Sequence, residues 1–271
     1  MNVVRQFEKR GPLWLPRYEP EPDPRLRRYK RYRRRWRPQA AIAWTNNYGS
    51  NGESTGANLS ITVPSTTAGN FMICVLEANA TITGVGMGSQ TFTLDVNAYT
   101  GERTVMASLP NIAGGQTTVT VNSDGATIYW AICAEFSGIA TTSPLDVAGT
   151  ADSGSSGTTW SANSISTQNA NDLIIGLGGD HTSAATLTAG TGYSLVATYQ
   201  NSTSAKSGIL VYEIVSSTGS YTPNGGGVVS GDSWAGVASS YEGAAAAFQP
   251  DEDYWQGPGP GPPDNPVTVF E

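Results

Sequence analysis

Val63-Pro-Ser-Thr-Thr-Ala-Gly-Asn-Phe-Met-Ile-Cys-Val-Leu76 and Ile165-Ser-Thr-Gln-Asn-Ala-Asn-Asp-Leu-Ile-Ile-Gly-Leu177 align as two versions of one pattern. In each segment, a polar stretch of turn-forming residues precedes a short apolar run. An apolar run of this length, bounded by turn residues and containing Val and Ile, predicts a buried strand. Because the pattern occurs twice, the sequence predicts that the body of the chain is duplicated.

Three further segments match in the same order along the chain. They are Gln90-Thr-Phe-Thr-Leu94 with Gly192-Tyr-Ser-Leu-Val196, Arg103-Thr-Val-Met-Ala-Ser-Leu109 with Gly208-Ile-Leu-Val-Tyr-Glu-Ile214, and Trp130-Ala-Ile-Cys-Ala-Glu-Phe136 with Trp234-Ala-Gly-Val-Ala-Ser-Ser-Tyr241. Each half therefore holds four predicted strands, and residues 117–121 add one candidate to the first half. The repeat is too long and has too few copies for a solenoid or a propeller.

The matched segments predict a sandwich. Two four-stranded halves, each unable to close a core of its own, are expected to pack face to face. A pair of Greek keys gives an eight-stranded jelly roll. The predicted fold class is therefore all-β, with duplicated four-stranded halves forming a jelly-roll-like β-sandwich and with extended N- and C-terminal arms. Trp130 and Trp234 are expected to anchor the core or its rim, with sugar stacking as the alternative.

The basic residues are concentrated at one end of the chain. Thirteen of the fifteen Lys and Arg residues lie among the first 38 positions with four acidic residues, a net charge of +9. The rest of the chain carries Arg103 and Lys206 against 18 acidic residues, a net charge of −16. This polarity predicts a cationic arm that contacts an anionic partner. Nucleic acid, a membrane surface and another copy of the protein are the candidates.

The arm, residues 1–40, combines basic and aromatic side chains. Prolines between positions 12 and 24 predict an extended segment. The run that follows has no proline and could form a short helix on binding, with three aromatic residues along one stripe. The predicted partner-binding residues of the arm are Arg25, Arg27, Arg28, Tyr29, Arg31, Tyr32, Arg33, Arg34, Arg35, Trp36 and Arg37.

The tail, residues 250–271, has five acidic residues, no basic residue and many Pro and Gly. This composition is not expected to fold alone. Its last residues form a small apolar hook that could add to the edge of a sheet elsewhere. The predicted partner-binding residues of the tail are Tyr254, Trp255, Val267, Val269 and Phe270. Between arm and tail, residues 41–249 form the predicted sandwich, so that the chain has the organisation of a part in an assembly.

The start of the chain does not have the pattern of a secretory signal. The first ten residues contain four charges, and no apolar region follows them. No apolar run reaches the length that is needed to cross a bilayer. The chain is therefore expected to be soluble, to have no membrane partner, and to reach any external location without the Sec pathway.

Cys74 and Cys133 each lie inside an apolar run. One interpretation is a disulfide across the sheet; the other, which the sequence favours, is two small buried hydrophobic residues. His181 is the only histidine, and the chain has no Cys/His cluster, so a zinc site and any other metal or cofactor are not expected. Asp146, Asp152 and Asp180 could ligate calcium, but the usual spacing of a calcium loop is missing.

Residues for catalysis are scarce. There is no GxSxG motif, and one histidine leaves few choices of general base. The glycines at 84–88 and 176–179 are interpreted as strand ends rather than phosphate loops, because neither group is followed by Lys-Ser/Thr or by a helical pattern. Glu77, Glu135 and Glu213 lie in or beside predicted strands, and two of them could form a glycosidase pair only at the right separation. The sequence thus predicts that the protein is not an enzyme.

Four segments carry a resemblance to a known module. They are Thr66-Thr-Ala-Gly-Asn-Phe, Ala134-Glu-Phe-Ser-Gly-Ile-Ala-Thr-Thr-Ser-Pro-Leu-Asp146, Thr167-Gln-Asn-Ala-Asn-Asp-Leu-Ile and Ala189-Gly-Thr-Gly-Tyr193. Together they look like a jelly-roll β-sandwich module of phage virion and bacterial surface proteins, over residues 45–245. The resemblance implies the fold; the modules themselves serve as capsid decorations, tail appendages and adhesive domains.

The expected function is that of a non-enzymatic phage virion structural protein at the surface of the particle. A capsid decoration or cement subunit, anchored through its arms to the major capsid protein or other virion proteins, is favoured, as a homo-oligomer or as a particle-bound copy. A tail or fibre component that binds receptor glycans is the first alternative. A coat protein that packages nucleic acid through residues 25–37 is the second. A carbohydrate-binding module of a secreted protein is a third, disfavoured by the absent signal.

Overall fold

The computed structural model of the chain describes residues 40–54, 56–125 and 127–245. These residues form 20 β-strands and no helix, which confirms the all-β fold class. All the predicted binding residues of the arm and the tail lie outside the described residues.

The first half contains nine strands in two antiparallel sheets. The strands are β1 (Ala43–Ser54), β2 (Asn58–Thr62), β3 (Phe71–Ala78), β4 (Ile82–Met87), β5 (Gln90–Thr91), β6 (Thr93–Tyr99), β7 (Arg103–Leu109), β8 (Thr118–Ser123) and β9 (Ile128–Ser137). Five form a large sheet in the order β1-β9-β3-β7-β6, and four form a small sheet in the order β2-β8-β4-β5.

The second half contains eleven strands. They are β10 (Leu145–Ala148), β11 (Asp152–Gly154), β12 (Thr159–Ser161), β13 (Ile165–Ser166), β14 (Asp172–Asp180), β15 (Thr188–Ala189), β16 (Ser194–Asn201), β17 (Lys206–Val215), β18 (Ser220–Tyr221), β19 (Asn224–Gly226) and β20 (Trp234–Glu242). The large sheet has the order β10-β20-β14-β17-β16, with β11 also paired to β20. Two small sheets, β12-β19-β15 and β13-β18, complete this half.

The segments that match in sequence occupy matching places in the two large sheets. They lie in β3 and β14, in β5–β6 and β16, in β7 and β17, and in β9 and β20. Within the sheets these strands follow the orders β9-β3-β7-β6 and β20-β14-β17-β16.

Alternate residues of β3 face two different cores, as the two-residue period of a strand requires. Met72, Cys74 and Leu76 face the small sheet of the first half. The residues of that sheet in the same core are Leu59, Ile61, Ile82, Val85, Met87, Val119 and Val121. Phe71, Ile73 and Val75 face the second half instead. They share a core with Leu173, Ile175, Leu177, Leu210, Val237 and Tyr241. The two large sheets therefore pack on each other.

The expectation that neither half closes a core of its own is wrong. The core that contains Cys74 is built entirely from residues 59–133, between the two sheets of the first half. The second half has its own interior, around Trp160 and around Ile165. The matched segments supplied mainly strands of the large sheets, and of the small sheets only β5 and, through the extra candidate at residues 117–121, β8 were predicted. Most of the strands that cover the outer faces were therefore missing from the predicted halves.

The favoured interpretation of the two cysteines is also wrong. Cys74 lies directly opposite Cys133 in the register of β3 and β9, and a disulfide joins them. The two Cα atoms are 4.1 Å apart, and both side chains are fully buried. Their burial in the core was predicted correctly, but the register that brings the two sulfurs together cannot be read from two separate apolar runs.

Candidate functional site

A buried polar group lies between the two large sheets. The carboxylate of Glu77, at the end of β3, accepts a hydrogen bond from Trp130 Nε1 at Oε2 over 3.1 Å. Its Oε1 lies 3.0 Å from Nε2 of His181, the first residue after β14. The side chains of Glu77 and His181 are 0% and 4% exposed. The Glu77–His181 pair therefore links the large sheet of the first half to that of the second.

The position of this pair follows from the register and from two glycines. Trp130 is the residue of β9 opposite Glu77, which places the indole beside the carboxylate. A Cβ atom at Gly179 would lie 2.0 Å from Glu77 Oε1, and one at Gly208 would lie 2.2 Å from the Trp130 ring. Only residues without side chains leave room for the two large groups of the first half. The glycines at 176–179, interpreted from the sequence as part of a strand end, thus lie within β14.

A second charged group adjoins the pair. Lys206 Nζ forms an ion pair with Glu102 Oε1 over 2.8 Å and also donates to the backbone oxygen of His181. The same ammonium lies 4.7 Å from the centre of the Tyr129 ring. Burial, followed by the charge and hydrogen bond of Glu102, raises the pKa of Tyr129 to about 12, so this phenol is neutral at physiological pH.

Opposing influences act on His181. Burial is the largest and favours the neutral imidazole, whereas the charge of Glu77 and its hydrogen bond favour the imidazolium. Lys206 opposes protonation and Glu102 favours it. The net result is that the pKa of His181 is raised above its ordinary value of 6.5.

Glu135 forms a second buried carboxylate site, at the other end of β9. It is fully buried and accepts hydrogen bonds from the side-chain amides of Asn47 and Asn70 and from the backbone N–H of Thr67, the last over 3.0 Å. These donors fix the loop before β3 against β1 and β9. The carboxylate is surrounded by protein donors, which is the arrangement of a structural contact.

The three glutamates considered for hydrolysis are dispersed. Glu77 lies opposite Trp130 in the β3–β9 register, whereas Glu135 lies opposite Met72. At about 3.4 Å per residue, the five-residue offset along β9 separates them by roughly 17 Å, beyond the separations that glycosidases use. Glu213 belongs to the second half, opposite Ile174 in β14.

The three aspartates considered as calcium ligands also lie in separate surroundings. Asp180 is fully buried, and its oxygens accept the backbone N–H groups of Thr182, Ser183 and Val229. Asp152 lies in β11 and Asp146 in β10. Within the described part of the chain, no group of three or more His, Cys, Asp or Glu residues is placed to hold a metal ion.

Asp146 approaches another carboxyl group. Asp172 is fully buried, and neither of its oxygens has a hydrogen-bond donor. Asp146 already accepts from Gln168 N over 2.8 Å and from Asn169 Nδ2 over 2.9 Å. Burial, then the neighbouring carboxylate of Asp146 and the charge of Glu242, raise the pKa of Asp172 to about 7. The protonated form of Asp172 can donate to Asp146, which its carboxylate cannot do.

The described body presents a mainly acidic set of side chains. Residues 40–245 include thirteen acidic residues and two basic ones, Arg103 and Lys206. Four of the acidic residues, Glu77, Glu135, Asp172 and Asp180, are fully buried. Of the basic residues, Lys206 pairs with Glu102, and Arg103 donates to Asn97 Oδ1 over 3.1 Å.

The two tryptophans that align in sequence, Trp130 and Trp234, differ in burial. Trp130 is fully buried, whereas Trp234 is partly buried against the Trp160 cluster, so they are a core residue and a rim residue respectively. The most exposed large apolar side chain of the described residues is Tyr99, at 68%.

The sequence analysis considers Glu77 and His181 separately and does not predict their contact, because 104 residues separate them along the chain.

Comparison of the chain with models of protein families, with curated proteins and with solved structures finds no match. Among the residues that the structure describes, no helix is long and apolar enough to cross a membrane.

Proposed function

We propose that the protein is a non-enzymatic structural component of a phage virion, a capsid decoration or cement subunit on the surface of the particle. Its body is a jelly-roll-like β-sandwich produced by duplication, and its partners are the major capsid protein or other virion proteins. Arg25–Arg37 and the tail residues Tyr254, Trp255, Val267, Val269 and Phe270 make the attachment.

One observation carries this proposal: both basic residues of the described body are already engaged, while most of its acidic residues have some exposure. A body of this charge favours contact with cationic segments over contact with a polyanion. The Arg-rich arm of a neighbouring copy supplies such a segment, and bidentate Arg–carboxylate contacts suit its composition. The buried disulfide is also in keeping with a protein that functions outside the reducing cytosol.

The test is deletion of residues 1–38. We expect the deleted protein to keep its circular dichroism spectrum, to lose attachment to particles, and to leave the genome content of the particles unchanged. A matched variant with every Arg from 25 to 37 changed to Lys keeps the charge and removes the bidentate geometry, so it should attach weakly. Normal attachment of the deleted chain would refute the proposal. Reduced genome content with normal attachment would favour nucleic-acid packaging instead.

A tail or fibre component that binds glycans is the second candidate, because Tyr99 offers an exposed aromatic face beside a turn. The number of copies per particle distinguishes a capsid subunit from a tail or fibre component. Quantitative mass spectrometry of purified particles should find hundreds of copies for a capsid subunit and a handful for a tail or fibre component. Glycan-array binding that Tyr99→Ala abolishes would support the second candidate.

A further inference from the structure

We infer that the Glu77–His181 pair is a proton-dependent link between the two large sheets. The contact stabilises the packing of the two sheets most when His181 is protonated, and loss of that proton reduces this stabilisation. This property goes beyond attachment to a particle, since it concerns how the two halves of the body are held together.

The location of the pair is the first support. Glu77 belongs to β3 of the first half, and His181 follows β14 of the second, so their 3.0 Å contact crosses from one half to the other. His181 is the only histidine of the chain. Imidazole is the one side chain whose ordinary pKa lies in the mildly acidic to neutral range. The contact between the two large sheets therefore contains a group that can gain or lose a proton near neutral pH.

The packing leaves the carboxylate no alternative position. Glu77 is fully buried, and the space that it occupies exists because Gly179 has no side chain. Trp130 Nε1 holds its second oxygen. A carboxylate that cannot reach water loses the hydration of its charge. This loss destabilises the folded protein unless a positive group lies close to the carboxylate.

The count of nearby charges identifies that positive group. Glu77 and Glu102 bring two negative charges, and Lys206 brings one positive charge, which Glu102 pairs directly. Tyr129, under the Lys206 ammonium, is neutral. Asp180, next to His181 in the chain, is held by the N–H groups of residues 182, 183 and 229, and Asp232 interacts with the same loop through Ser183, Thr182 and Asp180. The imidazolium of His181 therefore neutralises the charge that Glu77 leaves unbalanced.

The direction of the pH effect follows from the raised pKa of His181. A histidine whose pKa is higher in the folded than in the unfolded state contributes all of its stabilisation below 6.5. That contribution is lost as the pH rises through the folded-state pKa. Between these two values the folded protein holds one more proton at this site than the unfolded protein, and the unfolding equilibrium constant rises by up to tenfold per pH unit.

The test is denaturant unfolding of the full-length protein between pH 7 and pH 9. His181→Gln keeps an N–H donor for Glu77 but cannot gain a proton, and Glu77→Gln removes the charge that favours the proton. We expect the unfolding equilibrium constant of the unaltered protein to rise as the pH increases toward the folded-state pKa of His181, and both variants to lose this rise. Asp172→Asn, whose site lies elsewhere in β14, is the control and should keep it. An equal rise in the unaltered protein and in His181→Gln would overturn the inference.

Hydrogen exchange of the unaltered protein provides a second measurement that does not depend on the variants folding. After correction for the intrinsic effect of pH, amides of residues 176–183 should lose protection between pH 7 and pH 9. Amides of residues 118–123, in the outer small sheet of the first half, should change much less. Equal loss of protection in both segments would show that the proton acts on the whole body and would contradict a link between the sheets.

Discussion

The two halves of the body have large sheets of matching strand order but fill their interiors differently. In the first half, one continuous core of Leu, Ile, Val, Met and Ala side chains surrounds the Cys74–Cys133 disulfide. In the second half, the interior is divided into a cluster around Trp160 and a smaller one around Ile165. A given order of strands therefore does not fix how the space between the sheets is filled.

Glycine explains how a single indole fills so much of the second interior. A Cβ atom at Gly178 would lie 2.3 Å from the Trp160 ring, and one at Gly225 would lie 2.6 Å from its Nε1 atom. Both glycines are strand residues, where glycine normally weakens a strand. Here their cost is offset by the burial of the indole, whereas the first half uses branched side chains, which favour strands directly.

The largest expected effect compares the two tryptophans that align in sequence. Trp130→Ala removes a fully buried indole between the large sheets and leaves the buried carboxylate of Glu77 without one of its donors. We expect it to lower the free energy of unfolding by about 5 kcal/mol, from the cavity and the lost hydrogen bond. Trp234→Ala removes a partly buried ring and should lower it by only about 1–2 kcal/mol.

Chemical denaturation followed by circular dichroism measures both variants under the same conditions. A variant that is too unstable to purify can be compared through Trp→Phe at each position, where the order of the two effects should be the same. Equal losses at Trp130 and Trp234 would mean that the halves contribute alike to the contact between the large sheets.

The next effect concerns the covalent bond that only the first half contains. Cys74 and Cys133 are separated by 59 positions, and a cross-link that closes a loop of this length restricts the unfolded chain. The chain-entropy relation gives a stabilisation of about 4 kcal/mol. We expect the Cys74→Ala/Cys133→Ala double variant to lose about 3–4 kcal/mol of unfolding free energy in oxidising buffer.

The double variant provides its own control. Reductant present throughout unfolding and refolding should destabilise the unaltered protein and leave the double variant unchanged. An unaltered protein that unfolds at the same denaturant concentration with and without reductant would show that the disulfide contributes nothing to stability.

Particular residues show which parts of this fold could be predicted from the sequence. The apolar runs of β3, β9 and β14 are buried on both faces, so each produced a clear strand signal. β8 has alternating Val and polar residues, and the prediction for residues 117–121 found it approximately. Strands such as β15 and β19 contain two or three small or polar residues and carry no such pattern. They exist because the large sheet beside them needs a cover.

The candidate site was less predictable than the strands. The Glu77–His181 contact depends on the packing of one large sheet on the other, which no local pattern encodes. Gly179 and Gly208 do carry a signal, since an interior strand rarely has glycine unless a neighbouring group approaches closely. That signal shows where something approaches but does not identify Glu77 or Trp130 as the group.

The smallest expected effect belongs to the second half alone and depends on pH. The pKa of Asp172 is raised to about 7 from an ordinary value of 3.8, because of burial and its contact with Asp146. The folded protein therefore keeps a proton there that the unfolded protein releases, and the free energy of unfolding falls as the pH rises from about 4 to about 7.

Asp172→Asn supplies a neutral donor for Asp146 at every pH. Allowing for screening of the charge, we expect Asp172→Asn to be more stable than the unaltered protein by about 1–2 kcal/mol at pH 8 and equally stable at pH 4. Thermal unfolding at the two pH values measures the difference. The effect of Asp172→Asn should be the same in a His181→Gln background, because His181 follows the opposite end of β14. A variant that is less stable at pH 8 would show that Asp172 is held as a carboxylate.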